Sequence, residues 1–310
     1  DRKVNIVFNY NIIIRGGILL IPNIKFYVIS IAAIFAALGI GIFVGFLLDA
    51  QDLIIEQRQD IVSEIEERFD YLSEENKELR EALELANKEK EDYRYFIDST
   101  YREIIKDKLA GFKVAIIETN NDYVYSSVGQ LLEAAGANVV NLTTIMDNFT
   151  NEELLLNVYQ ELDIPTDNID NIVKDAVEKL TQAIIKGEAN ELVLKLDEKG
   201  FINLVGLINE PVDFIIVAGG SVVEPQNMIN VIDNTIINVS KNNSVSIIGI
   251  EKLETNYSYM ESYKNLGITT VDNVDTTIGK VSLILAMEGR PGHYGMKKTA
   301  ESLIPNINVQ

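Results

Sequence analysis

The chain has 310 residues, no cysteine, one histidine and a formal net charge of −20, from 47 acidic against 27 basic side chains. That balance excludes a nucleic-acid binder, which must neutralise phosphates with Lys and Arg, and it makes an anionic membrane surface a poor partner for the charged part of the chain. Without thiols there can be no disulfide, no Cys nucleophile and no Cys-based zinc or copper site.

Residues 1–22, DRKVNIVFNYNIIIRGGILLIP, show no clear period, and Pro22 breaks any helix there. Arg15-Gly16-Gly17 is what a purine-rich ribosome-binding sequence encodes when read through, so one reading starts translation near Leu20. The other keeps residues 1–25 as a short cytoplasmic N-terminus. Residues 26–48, FYVISIAAIFAALGIGIFVGFLL, carry no charge and are apolar all round. A hydrocarbon core about 30 Å thick needs roughly 20 such residues in a helix, whereas a soluble core helix shows a polar face. A transmembrane helix in contact with lipid is therefore expected.

Arg2, Lys3, Arg15 and Lys25 precede this run, while Asp49, Asp52, Glu56 and Asp60 follow it, with Arg58 the nearby cation. The positive-inside rule then places the N-terminus in the cytoplasm and the C-terminal part outside. The long apolar run and the acidic Asp49-Ala50-Gln51-Asp52 argue against signal-peptide cleavage. Ala33, Ala37, Gly41 and Gly45 recur every fourth position, and the last two form a G-x-x-x-G, over which two helices can approach closely.

Residues 50–108 read as a stalk, rich in Glu, Lys, Arg, Leu and Ile, with neither Pro nor Gly over 51–101. Ile54, Ile61, Ile65, Leu72, Leu79, Leu83, Ala86, Tyr93 and Ile97 recur at three-, four- and seven-residue steps, the spacing of a coiled-coil seam. Arg68 or Phe69, Asn76 and Lys90 interrupt it. A parallel homodimer through span and stalk is expected; the alternative is one amphipathic helix lying on the globular domain.

From 109 to 310 the period changes. Apolar, β-branched runs at 113–118, 138–142, 213–218, 244–250 and 267–271 read as strands, with helices at about 123–135, 227–238 and 276–287. Nearly continuous apolar strands separated by helices indicate a mostly parallel sheet covered on both faces, an α/β sandwich. Residues 151–200 read as a largely helical insertion, broken at 164–170.

Chemistry-bearing motifs are few. His293 is the one histidine, so a multi-His metal site within one chain is impossible. No G-x-S-x-G turn or phosphate-binding glycine loop is present. Gly219-Gly220-Ser221 follows a strand, where α/β sheets often bind ligands, but serves equally as a tight turn. The segment 271–295 is the most distinctive. Asp275 or Thr276 can cap a helix that Gly289 ends in a left-handed conformation, with Pro291 close behind. The loop from Arg290 to Gly295 then sets polar and aromatic groups between glycines, which reads either as a plain surface loop with a solvated histidine or as a binding loop.

Three features together resemble the MctB family of bacterial proteins named for copper transport, which is related to the SteB division proteins. They are the apolar block VISIAAIFAALGIGIFVG, the acidic stalk behind it and a C-terminal signature. The signature comprises Val271, Asp272, Asn273, Val274 and Asp275, LILA at 283–286, and Gly292, His293, Tyr294 and Gly295. The resemblance implies a single-span, extracytoplasmic α/β protein acting in copper transport or homeostasis at the cell envelope, with copper a possible ligand and no enzymatic activity. His293 and Met296 are the candidate metal donors, although copper(I) prefers thiolate or thioether and copper(II) imidazole. The alternative function is a dimeric scaffold that recruits or activates a wall-remodelling or division partner.

Overall fold

The computed structural model describes residues 24–165, 171–225 and 227–306, with the backbone alone at 49–60. Both readings of residues 1–22, and the break over 166–170, lie outside the described residues. The chain divides into two compact units, 1–87 and 88–310.

Helix α1 spans Ile24–Ile105. Its first part, Ile24–Leu48, is 25 residues long with a mean hydropathy of 2.7, about 37 Å of helix at roughly 1.5 Å per residue. That is long and apolar enough to cross a bilayer, and every described side chain on it faces outward. A Cβ built at Gly41 or Gly45 meets nothing within 4 Å. Beyond the span the helix is held by its own surface. Glu64 pairs with Arg68 at 2.9 Å and Glu74 with Lys77 at 3.1 Å, and the Asn76 amide donates to the Leu72 carbonyl at 2.9 Å. Ile61, Ile65, Phe69, Leu72, Leu79 and Leu83 all stay exposed.

The second unit carries a seven-stranded sheet in the order β3-β2-β1-β4-β5-β6-β7. The strands are β1 (Lys113–Glu118), β2 (Asn138–Ile145), β3 (Ile202–Gly206), β4 (Phe214–Ala218), β5 (Ser246–Ile250), β6 (Thr269–Val271) and β7 (His293–Tyr294). Only the β2–β3 pairing is antiparallel. The expected mostly parallel α/β architecture is thus found, with two strands more than the apolar runs announced. β3 was missed because it is the sheet edge, and only Ile202 of its five residues is fully buried. β7 reads as loop from sequence because it is two residues long between glycines.

Alternation along the strands sorts the core into two layers. On β1, Ala115 and Ile117 face one layer with Phe149, Leu155, Val177 and Ile184, while Val114 and Ile116 face the other with Leu132, Ile284 and Leu285. The first layer is roofed by α3 (Glu152–Glu161), α4 (Ile172–Lys186), α5 (Glu191–Glu198) and α6 (Asn234–Asn242); the second by α2 (Ser126–Ala134) and α8 (Thr277–Met287). A short helix α7, Met260–Asn265, had no sequence signal of its own, and it packs Tyr263 under β5. Each fully buried Ile, Val or Leu contributes about 1.5–3 kcal/mol, which is why β4 (FIIVA), buried along its whole length, anchors the centre of the sheet. The expected helix at 227–238 begins instead with a π turn at Ile229–Asp233 and runs on as α6.

Candidate functional site

The direction of the chain reverses between β2-β1 and β4-β5, so the carboxyl ends of β1 and β4 form the switch point at which open α/β sheets take ligands. Here the crevice is bridged by the protein's own groups. Tyr125 donates its hydroxyl to the Gly219 carbonyl at 2.6 Å, the Asn120 amide donates to Gly220 O at 2.9 Å, and Asp122 accepts from the Val222 N–H at 2.7 Å. A pocket of about 200 Å³ remains beside it, lined by Asn120, Asp122, Asp147, Ser221, Glu224 and Tyr259. Gly219 is required by close approach: a Cβ there would sit 2.2 Å from the Tyr263 hydroxyl. The turn reading of Gly219-Gly220-Ser221 therefore describes what these glycines do.

Three strands carry a buried acid at their carboxyl end. Glu118, the last residue of β1, accepts from the Tyr125 N–H at 2.7 Å and from the Thr144 hydroxyl at 2.6 Å. Glu251 after β5 is wholly buried; it accepts from Ser258 Oγ at 2.5 Å, the Tyr259 N–H at 2.9 Å and Lys297 Nζ at 2.5 Å. Asp272 after β6, 1% exposed, accepts from the N–H groups of Met296 at 2.7 Å and Lys297 at 2.9 Å. Lys297 Nζ further donates to Lys252 O at 2.8 Å and Thr255 Oγ1 at 2.6 Å. A buried carboxylate is tolerated only when its lone pairs are met in this way.

The C-terminal signature is the frame of this arrangement. Val271 ends β6, Val274 is buried and donates its N–H to the Glu251 carbonyl, and Asp275 accepts from the Leu253 N–H at 2.9 Å. Thr276, rather than Asp275, is the N-cap of α8, its hydroxyl accepting from the Gly279 N–H at 3.0 Å. Asn273 is fully buried, and neither end of its amide has a hydrogen-bond partner. Gly292 sits against the Tyr294 ring, and Tyr294 donates its hydroxyl to Arg290 O at 2.9 Å. Gly295 has φ +137°, and a Cβ there would lie 1.8 Å from Asp272 Oδ1, so glycine alone fits. The stretch that reads from sequence as a surface or binding loop is thus largely built into the sheet.

His293 lies on β7 opposite Thr270, its Nδ1 3.0 Å from the Thr270 hydroxyl. Burial lowers its pKa, the Lys264 ammonium lowers it further, and Glu301 works the other way; Lys264 and Glu301 pair at 2.9 Å. With Nδ1 so engaged, a metal would be taken by Nε2, near a cation that opposes it. Met296 is 52% exposed. Among the described residues, no group of three or more His, Cys, Asp or Glu is arranged to hold a metal ion.

Sequence reasoning missed Glu251, Lys297, Glu118 and Tyr125. An acid directly after each apolar run (KVAIIE, SIIGIE, TTVD) was the signal available. It also missed Asp233, fully buried at the end of the π turn and bonded to the Tyr263 hydroxyl. Burial pushes this carboxyl from 3.8 up to about 7, against the hydrogen bonds from Tyr263 and Thr119. An acid whose folded pKa is raised holds its proton in the native state but loses it in the unfolded state between about 4 and 7, so stability falls as pH rises through that window. Replacing Asp233 by Asn removes this dependence. Urea unfolding should show the variant gaining about 3 kcal/mol on wild type between pH 5 and pH 8, since one pKa unit corresponds to about 1.4 kcal/mol; a constant difference would contradict the assignment.

The apolar helix, the α/β head and this C-terminal frame meet in one comparison. The model of the family described as "Copper transport outer membrane protein, MctB" matches residues 21–305. The chain belongs to the MctB family. No curated protein matches it. The matched region takes in the apolar helix, the helical segment behind it and the whole sheet.

Proposed function

We propose that the protein serves copper transport or homeostasis at the cell envelope, as a single-span membrane-anchored protein without enzymatic activity of its own. The match to the copper-transport family over residues 21–305 carries the reading. The apolar helix Ile24–Leu48 supports the anchor, and the basic-before, acidic-after charge pattern supports a cytoplasmic N-terminus and an extracytoplasmic head. If the chain contacts the ion itself, His293 with Met296 is the donor pair it offers. In a strain lacking the gene, copper content and copper sensitivity should change and be restored by the wild-type gene; unchanged values would contradict the reading.

A second reading is favoured by one observation, the exposed seam of Ile61, Ile65, Leu72, Leu79 and Leu83 on α1. Large apolar side chains at coiled-coil spacing are normally covered by another helix. In this reading two copies pair in parallel through span and stalk, and the dimer acts as a scaffold that presents the heads to an envelope partner engaged in wall remodelling or division. A copper role and a scaffold role are compatible if the partner is the one that handles the ion.

A further inference from the structure

β2, β1 and β4 are neighbours and parallel, so the loops at their carboxyl ends lie side by side around the pocket of about 200 Å³. Each loop gives its wall one acid: Asp147 after β2, Asp122 after β1 and Glu224 after β4. No basic side chain lines the pocket, and none of the three acids pairs with a Lys or Arg among the described residues. Three like charges around one small cavity set up a negative potential that draws in a cation. Asp122 commits one carboxylate oxygen to the Val222 N–H at 2.7 Å. Asp147 and Glu224 are exposed.

A buried hydroxyl opens on the same pocket. Tyr259, one of its lining residues, is 2% exposed, its ring seated on Gly219 and edge-on to Tyr263. Ser221 and Asn120 are polar neighbours of its hydroxyl. Ser221 gives its own proton to Val223 O at 2.7 Å, and Asn120 donates to Gly220 O at 2.9 Å. The Tyr259 O–H has no acceptor among the described residues. Burial pushes its pKa up to about 12, so it remains a neutral donor. A buried donor of this kind calls for an acceptor, which an occupant of the pocket can supply.

The occupant must therefore bring a cation and an acceptor together. The pocket is smaller than the roughly 300–1,000 Å³ that drug-sized ligands fill, and suits a single residue. Its acids are not gathered closely enough to ligate a metal ion directly. Val223, Pro225 and Met228 give it an apolar wall for a methylene stem. Val124, Val222, Val223 and Tyr257 are exposed on the same set of loops. Those loops are tied to one another: Ser221 and Tyr257 exchange backbone hydrogen bonds at 3.0 Å, and Asn256 donates to the Tyr123 hydroxyl at 3.2 Å and to Val222 O at 3.0 Å. A pre-ordered apolar surface beside a charged pocket fits a protein contact better than a free small amine. We propose that the pocket receives a basic side chain, lysine or arginine, of a partner protein, with its charged head among Asp122, Asp147 and Glu224 and its main-chain carbonyl accepting from Tyr259. The proposal rests on the scaffold reading and names where the head holds that reading's partner.

The test titrates the full chain in detergent with end-blocked heptapeptides of Val, Ala and Ser that carry one central lysine or arginine, and with norleucine there as the uncharged match. A basic peptide should saturate the protein, and its norleucine match should bind about tenfold more weakly or worse. The pair Asp147→Asn with Glu224→Gln, both at exposed positions, should also cost about tenfold, and Tyr259→Phe about fivefold. Glu133→Gln on α2 should change nothing. Absence of binding across the set, binding indifferent to the peptide's charge, or binding indifferent to the pocket variants would overturn the proposal. Displacement of the peptide by cadaverine, or by magnesium at matched ionic strength, would overturn it too, making the occupant a free amine or a hydrated cation. Cross-linking of the stalk reads the dimer separately: a dimer that binds no peptide fails the pocket alone, and peptide binding without a dimer fails the pairing alone.

Discussion

Lys297→Met should destabilise the head by about 3–5 kcal/mol, the range expected when one partner of a buried ion pair is removed. Glu251 is completely buried, and its Oε1 depends on the Lys297 ammonium at 2.5 Å. Methionine keeps the length of the side chain but leaves that carboxylate with only the Ser258 hydroxyl and the Tyr259 N–H. It also strips a donor from Lys252 O and Thr255 Oγ1. The effect reaches past the pair, because Lys297 and Met296 donate their N–H groups to Asp272 and so fasten the segment after β7 to the sheet. Chemical unfolding followed by far-UV circular dichroism is the measurement, since the chain has no tryptophan. Combining Lys297→Met with Glu251→Leu should cost less than the sum of the two singles, because no unpaired charge then remains. A loss below 1 kcal/mol for the single variant would show that the pair is not buried as described.

The second large effect belongs to the stalk. Leu72 and Leu79 lie seven residues apart on one face of α1 and are 53% and 62% exposed in the single chain. In a parallel dimer each would pack against its counterpart. Truncating both to alanine would remove four buried side chains per dimer, at about 2 kcal/mol or more each. Dissociation should strengthen by well over a hundredfold, read as loss of the cross-linked dimer from full-length protein in detergent. Helicity should stay unchanged, since alanine is the best helix former. A double variant that still cross-links as wild type would place the contact elsewhere.

Much of this organisation was legible in the residues. The apolar span follows from its length and uniform apolarity, and the helix behind it from a charged, apolar-striped stretch, 51–101, with neither Pro nor Gly. The central strands were found because β1 and β4 are buried on both faces and therefore read as unbroken apolar runs. What escaped was set by tertiary context. β3 is half solvent-facing at the sheet edge, and β7 is a two-residue strand that exists only because Thr270 and Val271 offer a ladder to pair with.

The site was less legible than the fold. The signature residues 271–275 and 292–295 were singled out, yet their work is to lock β6 and β7 together rather than to hang free in a loop. Glu251 and Lys297 are 46 residues apart, and no local pattern links them.

One measurement tests the account most directly: the copper content of a strain lacking the gene, carrying either the wild-type gene or the Leu72→Ala/Leu79→Ala variant. The account predicts that loss of the gene changes cellular copper, that the wild type restores it, and that the variant, anchored but unpaired, does not. Copper content that is the same in all of these strains would contradict it.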